Sequence, residues 1–215
     1  MLKVNNISSG YGKKQVLYDA SLEVNAGEVV LLTGGNGSGK STLLKCIYNL
    51  LPLWSGSIEF EGQNTGNKKP SDLIHEGIVY IPQKDFYFEN LTVLENLQIS
   101  GNMLPKNVLK ERIEEVLDQT GLEKFRKRKP FDLSGGERKI LAFGMGLIHK
   151  PKLLLFDEPL AGVDAQNTAI LLRLFQETII KPDNSVIIVE HKDEARELFT
   201  QKVIMELGKI KKERI

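Results

Sequence analysis

Glu28-Val29-Val30-Leu31-Leu32-Thr33-Gly34-Gly35-Asn36-Gly37-Ser38-Gly39-Lys40-Ser41-Thr42 decides the fold. Residues 28–33 are an apolar run long enough for a strand buried on both faces, and the strand feeds straight into glycines. Beyond the loop, Leu43, Leu44, Ile47, Leu50 and Leu51 recur at helical spacing, giving a helix one apolar face while Lys45 points elsewhere. Such a turn lets several backbone N–H groups converge on one anion at the helix start, where the macrodipole also favours negative charge. Gly34, Asn36, Gly37, Ser38, Gly39, Lys40, Ser41 and Thr42 therefore read as a phosphate cradle. Lys40 can reach β- and γ-phosphates, and the Ser41 hydroxyl can ligate Mg²⁺. A chance match in a glycine-rich turn is the alternative, and strand, loop and helix standing in order argue against it.

A magnesium partner is expected at the end of another buried strand. Leu153-Leu154-Leu155-Phe156 is such a run, closed by Asp157 and Glu158, and Pro159 ends it. Asp157 would hold the metal, while Glu158, one residue nearer the γ-phosphate, could take a proton from attacking water. Acidic residues also end strands simply by turning into solvent; the loop upstream gives the functional reading its force.

Leu133-Ser134-Gly135-Gly136-Glu137 places a serine at a helix start, where it can act as N-cap and leave the Gly135 and Gly136 amides and the helix dipole aimed at an anion. With this segment the chain resembles one nucleotide-binding domain of the ATP-binding cassette (ABC) ATPases, whose signature sequence it matches. The family's motifs can be placed in order from residue 11 to residue 191. The resemblance assigns Tyr11 to stacking on adenine, with Val16 beside it in the nucleotide set. Gln83 matches the Q-loop glutamine after a strand at Gly77 to Ile81, residues Leu160 to Asp164 match the D-loop, and His191 matches the switch histidine. It implies ATP and Mg²⁺ as cofactors. It also implies a head-to-tail pair, with a second copy or a homologous ATPase subunit, in which Ser134, Gly135, Gly136 and Asp164 meet the nucleotide held by the other subunit.

These assignments have physical grounds. An aromatic face under a base contributes about 1–3 kcal/mol; as a lone residue between Gly10 and Gly12, Tyr11 would otherwise read as surface turn. The Gln83 amide can ligate Mg²⁺ or orient water. His191 can donate to a γ-phosphate, whereas His75 and His149 follow no buried strand and read as surface or boundary residues.

The fold class expected is α/β: a P-loop NTPase (RecA-like) parallel sheet core with an antiparallel β subdomain and a helical subdomain. Alternating apolar residues up to about Gly62 suggest the antiparallel layer, with an edge strand at Ser57 to Phe60. Between Gln83 and His149 the pattern turns helical. Val108, Leu109, Ile113, Val116 and Leu117 form one face, and Ile140, Leu141, Met145 and Ile148 another, so a helical subdomain at about 84–150 is inserted in a single domain spanning 1–215. From Pro151 strands and helices alternate again, through Ser185 to Glu190 and Lys202 to Leu207, before a short basic tail.

The 215 residues carry a net charge of +1, which offers no electrostatic case for nucleic acid. The single cysteine, Cys46, excludes an internal disulfide and reads as a small core residue. No apolar stretch approaches the roughly 20 residues of a membrane span, and no signal-peptide core is present. The expectation is a cytoplasmic protein, peripheral on the membrane's cytoplasmic face and bound to integral membrane permease subunits. The basic run Lys124 to Lys129 reads as a solvated face or a contact to acidic headgroups. Phe86, Tyr87, Phe88, Leu91 and Val93 lie near the loop where the family docks its membrane partner; core packing accounts for most, and one or two exposed aromatics are expected.

Within the family, LSGGER followed by DEPLAGVD resembles the ATPases of branched-chain amino acid importers and of lipopolysaccharide export. Ala165 replaces a common proline, and Gly144 to Gly146 replaces the usual alanine-arginine pattern. A soluble cassette ATPase, such as one for iron–sulfur cluster assembly, is the alternative reading.

Overall fold

A computed structural model describes residues 1–84, 86–178, 182–190 and 198–213. An antiparallel sheet of order β2-β1-β4-β5 is built from β1 (Leu2–Tyr11), β2 (Lys14–Val24), β4 (Ser55–Phe60) and β5 (Gln63–Asn64). A six-stranded sheet of order β10-β9-β3-β8-β7-β6 combines β3 (Val29–Thr33), β6 (Ile78–Ile81), β7 (Leu153–Asp157), β8 (Ser185–Val189), β9 (Gln201–Glu206) and β10 (Lys209–Glu213). Its pairs are parallel except for the β9–β10 hairpin. The described helices are α1 (Lys40–Ile47), α2 (Pro70–Glu76), α3 (Val93–Ser100), α4 (Lys106–Thr120), α5 (Gly135–Leu147) and α6 (Ala165–Thr178).

The period of two along each buried strand divides the molecule into two cores. Val29 and Leu31 of β3, with Leu154 and Phe156 of β7, enter the core shared with α3 to α6. Val30 and Leu32, with Leu153 and Leu155, enter the core shared with α1 and the antiparallel sheet. Each fully buried aliphatic side chain stabilises by about 1.5–3 kcal/mol, so the central strands work as a wall between layers, while β9 and β10 carry exposed residues at one side of the sheet. On the helical side, Phe143 of α5 stacks on Phe156 with ring centroids 6.1 Å apart and meets Phe175 of α6 edge-on at 4.9 Å. These rings fix α5 against the end of β7, where the acidic pair lies.

Four local expectations are corrected. Helix α1 stops at Ile47, because Asn49 turns left-handed (φ 54°) and leaves Leu50 exposed rather than on the helix face. β4 is flanked by β1 and β5, so the edge is the two-residue β5. The basic tail forms β10, an edge strand whose lysines discourage pairing with another chain. Helix α5 is buried on nearly every side from Ile140 to Ile148, not on one face. That burial explains the glycines at 144 and 146: a Cβ on Gly146 would lie 2.8 Å from the Ile81 Cδ1 atom, and one on Gly144 3.1 Å from the Val116 Cγ1 atom. Cys46 is fully buried, as read from sequence. No described helix is long and apolar enough to cross a membrane.

Candidate active site

β3 ends at Thr33, and residues 34–39 wrap into α1. Gly39 is the N-cap, in a left-handed conformation (φ 108°) that only glycine adopts without strain; no side chain caps the helix and its first turn holds no acid. The first-turn N–H groups are thus left for a ligand. The Lys40 ammonium donates to the Gly34 and Gly35 carbonyls at 2.9 and 3.2 Å. Burial lowers its pKa, opposed by the charges of Glu158 and Asp157.

A cavity of about 1000 Å³ opens over this loop. Tyr11, Val16 and every loop residue from Asn36 to Thr42 line it, as do Gln83 and Glu158. Gly34 lies behind it, close against β9: a Cβ there would stand 2.2 Å from the Met205 carbonyl oxygen. The Ser38 hydroxyl is buried with no hydrogen-bond partner among the described residues. A phosphate oxygen would satisfy it, so the cradle fits an anion chemically as well as in shape.

Asp157, 2% exposed, ends β7. Ser41 Oγ donates to its Oδ1 at 3.1 Å, and Tyr80 Oη donates to its Oδ2 at 3.3 Å. Burial pushes the carboxyl above the ordinary aspartate range, and the Glu158 charge adds to the effect, against the two hydroxyl donors. A divalent cation would reverse that balance. Glu158 sits at positive φ (51°), its N–H donating to the Val189 carbonyl at 3.0 Å, and its carboxylate accepts from the Gln83 side-chain amide. A glutamate held left-handed at a strand end is strained, which is a common property of functional positions.

The second glycine segment lies elsewhere. Ser134 caps α5, accepting from the Glu137 N–H at 3.2 Å while its own N–H donates to the Glu137 carboxylate at 2.8 Å. None of Ser134, Gly135 and Gly136 lines the large cavity. The two glycines differ: Gly135 is open and borders a small cavity of about 140 Å³ that also reaches Gln83, whereas Gly136 is buried with its Cα against Asn167 of α6. Asp164 is a cap as well, accepting from the Asn167 N–H at 2.9 Å and side-chain amide at 2.7 Å. These bonds, led by the backbone donor, hold its carboxyl below the usual range. His191 lies outside the described residues.

Sequence reasoning missed several groups. Tyr80 braces Asp157, and a tyrosine inside an apolar strand, which needs a partner for its hydroxyl, was the available signal. The Lys139 ammonium donates to the Gln83 carbonyl at 3.0 Å, tying α5 to the site. Lys45 lies over the Tyr11 ring, 5.7 Å from its centroid, and Leu207 and Gly208 join the cavity wall from the β9–β10 turn. Outside the site, Phe86 and Phe88 are the exposed aromatics of residues 86–93, while Tyr87 packs on the helical-side core. Arg126 pairs with Glu114 and Glu123, Lys124 and Arg128 lie over the Phe125 ring, and Lys127 and Lys129 are exposed.

Residues 17–161 match the family described as ABC transporter. This chain is an ABC transporter ATPase. The ATPase is 38% identical over 172 residues to the probable branched-chain amino acid transport ATP-binding protein LivF of Archaeoglobus fulgidus, covering 80% of this chain and 73% of that protein. It is 36% identical over 214 residues to the high-affinity branched-chain amino acid transport ATP-binding protein BraG of Pseudomonas aeruginosa, covering 98% and 91%. A crystal structure of the ADP conformation of an ATP-binding cassette of an ABC transporter superposes with a TM-score of 0.89 at 30% identity, over 98% of this chain and 89% of that one. The family and the mixed fold expected for the ATPase from its sequence are both borne out.

Proposed function

We propose that this ATPase works as one of a head-to-tail pair, each member completing the other's nucleotide site, and drives transport through separate membrane permease subunits from the cytoplasmic face. On this reading the whole chain is one cassette domain, with the helices between β6 and β7 as its inserted helical subdomain. The observation that carries the reading is the division of the glycine segments. Ser41, Gln83 and Glu158 line the loop cavity, Ser41 bonded to Asp157 and Gln83 to Glu158, whereas Ser134 and Gly135 stand outside it.

The loop amides and Lys40 bind the phosphates, and Tyr11 and Val16 take the base. Ser41, Asp157 and Gln83 would hold Mg²⁺, which supplies charge neutralisation to the phosphate oxygens when bound. Hydroxyl, carboxylate and amide oxygens suit this hard cation. Among the described residues no group of three or more His, Cys, Asp or Glu forms a protein cage, in keeping with an ion that shares phosphate ligands. Glu158, oriented by the Gln83 amide, accepts the proton of the attacking water. His191 would donate to the γ-phosphate by the family resemblance. The names of the two amino acid transport relatives favour a branched-chain amino acid as cargo.

A mixed dimer tests the shared site. With Lys40→Ala in one chain and Ser134→Arg in the other, both lesions fall in one composite site and the second site is intact. Trapped non-hydrolysable ATP analogue is expected at about half the unmutated level, with almost none in either mutant homodimer. Retention as low as in the homodimers would mean that both segments act within one chain.

A further inference from the structure

We propose that Leu207 is an apolar wall of the base subsite, covering a purine that Tyr11 supports. Leu207 and Gly208 form a two-residue loop between β9 and β10, and both have positive φ, 47° and 79°. Hairpin loops of this geometry favour Asn-Gly, because a leucine in the left-handed region is strained. Leu207 is also 87% exposed, the most exposed of the large apolar side chains among the described residues. Neither property serves the fold: an asparagine would relieve the strain and remove the exposed apolar surface together.

The turn is bolted in place. The Gly208 N–H donates to the Ser38 carbonyl at 2.9 Å and its carbonyl accepts from the Tyr18 N–H at 3.0 Å. A Cβ on residue 208 would stand 1.9 Å from the Val16 carbonyl oxygen. Leu207 is therefore held beside the phosphate loop and β2, and it lines the large cavity with Tyr11, 46% exposed, and Tyr18, 40% exposed. Three exposed large apolar side chains gathered on one cavity are a surface in want of a planar apolar ligand. Because Leu207 has no polar atom on its side chain, it reads the face of a base and not its edge; the phosphates are recognised elsewhere in the cavity.

This inference rests on the nucleotide reading of the cavity, and the experiment separates the two. Affinities for ATP, ADP and inorganic tripolyphosphate are measured by calorimetry without divalent cation for the unmutated chain, Leu207→Asn and Leu207→Met. Leu207→Asn is expected to weaken ATP and ADP alike by about 3- to 10-fold, as loss of a partly covered leucine would. It should leave tripolyphosphate binding unchanged and the unfolding midpoint no lower; Leu207→Met should keep the affinity. Unchanged ATP affinity in Leu207→Asn overturns the proposal, and so does a parallel loss of tripolyphosphate, which would place the effect in the phosphate loop. Tyr11→Ala and Lys40→Ala are run alongside. If both weaken ATP while Leu207→Asn does not, the wall alone is wrong; if neither weakens it, the nucleotide reading of the cavity falls as well.

Discussion

Helices α1 and α5 both begin beside glycines, and they begin differently. α1 starts behind Gly39, with no side-chain cap and no acid in its first turn. α5 starts behind Ser134, with a reciprocal box to Glu137 that satisfies two backbone N–H groups. The first end depends on a ligand to complete its hydrogen bonding, and its chemistry is assembled from distant sequence: Ser41 meets Asp157 across 116 residues, and Gln83 meets Glu158 across 75. The second end is capped locally, within three residues, and the box leaves the Gly135 and Gly136 amides outside it. The α1 start thus has no side-chain cap, whereas the α5 start carries its own.

The largest effect should come from breaking the assembled end. Glu158→Gln keeps shape and removes basicity, so ATP hydrolysis should fall by about 10²–10⁴-fold while ATP binding survives in an equilibrium titration. Near-normal turnover would remove Glu158 from its proton-accepting role.

A smaller effect is expected where α5 meets α6. A Cβ on Gly136 would lie 2.2 Å from the Asn167 Cγ atom, and Asn167 is bonded twice to Asp164. Gly136→Ala should therefore lower the unfolding free energy by about 1–3 kcal/mol through overpacking, despite alanine's better helix propensity. A denaturant midpoint equal to that of the unmutated protein would show that Gly136 is kept for something other than close approach.

Smallest of the three is the cap. Ser134→Ala should reduce stability by about 0.5–2 kcal/mol, read from the same urea titration. A loss well above that range would mean the serine holds more than its own helix end.

The sheet was legible because its strands are unbroken apolar runs: β3, β6, β7 and β8 fall where those runs fall. β10 was not, since Lys209, Lys211 and Lys212 hide a strand inside a charged tail. The end of α1 was also hidden. Leu50 and Leu51 continue the apolar spacing, and only the left-handed Asn49 breaks the helix. In the site, the phosphate loop and acidic pair could be read from local order, because backbone turns and strand ends are local events. The separation of Gly135 from Gly136 could not, for it depends on Asn167, a residue of another helix. Neither could the grip of Tyr80 on Asp157 or of Lys139 on Gln83, which are tertiary contacts with no sequence spacing of their own.

The hold of Lys139 on the Gln83 carbonyl ties α5 to a residue of the site. Lys139 is five residues beyond Ser134, about 7.5 Å along the axis at 1.5 Å per residue, and the far end of the helix is clasped by Arg112, which donates to the Leu147 and Ile148 carbonyls at 2.6 and 3.3 Å. The helix is therefore tied to its neighbours at both ends, by a lysine near its start and an arginine at its close. The Ser134 end of α5 is thus linked to the Glu158 carboxylate through one residue, Gln83, whose carbonyl meets Lys139 and whose side-chain amide meets Glu158.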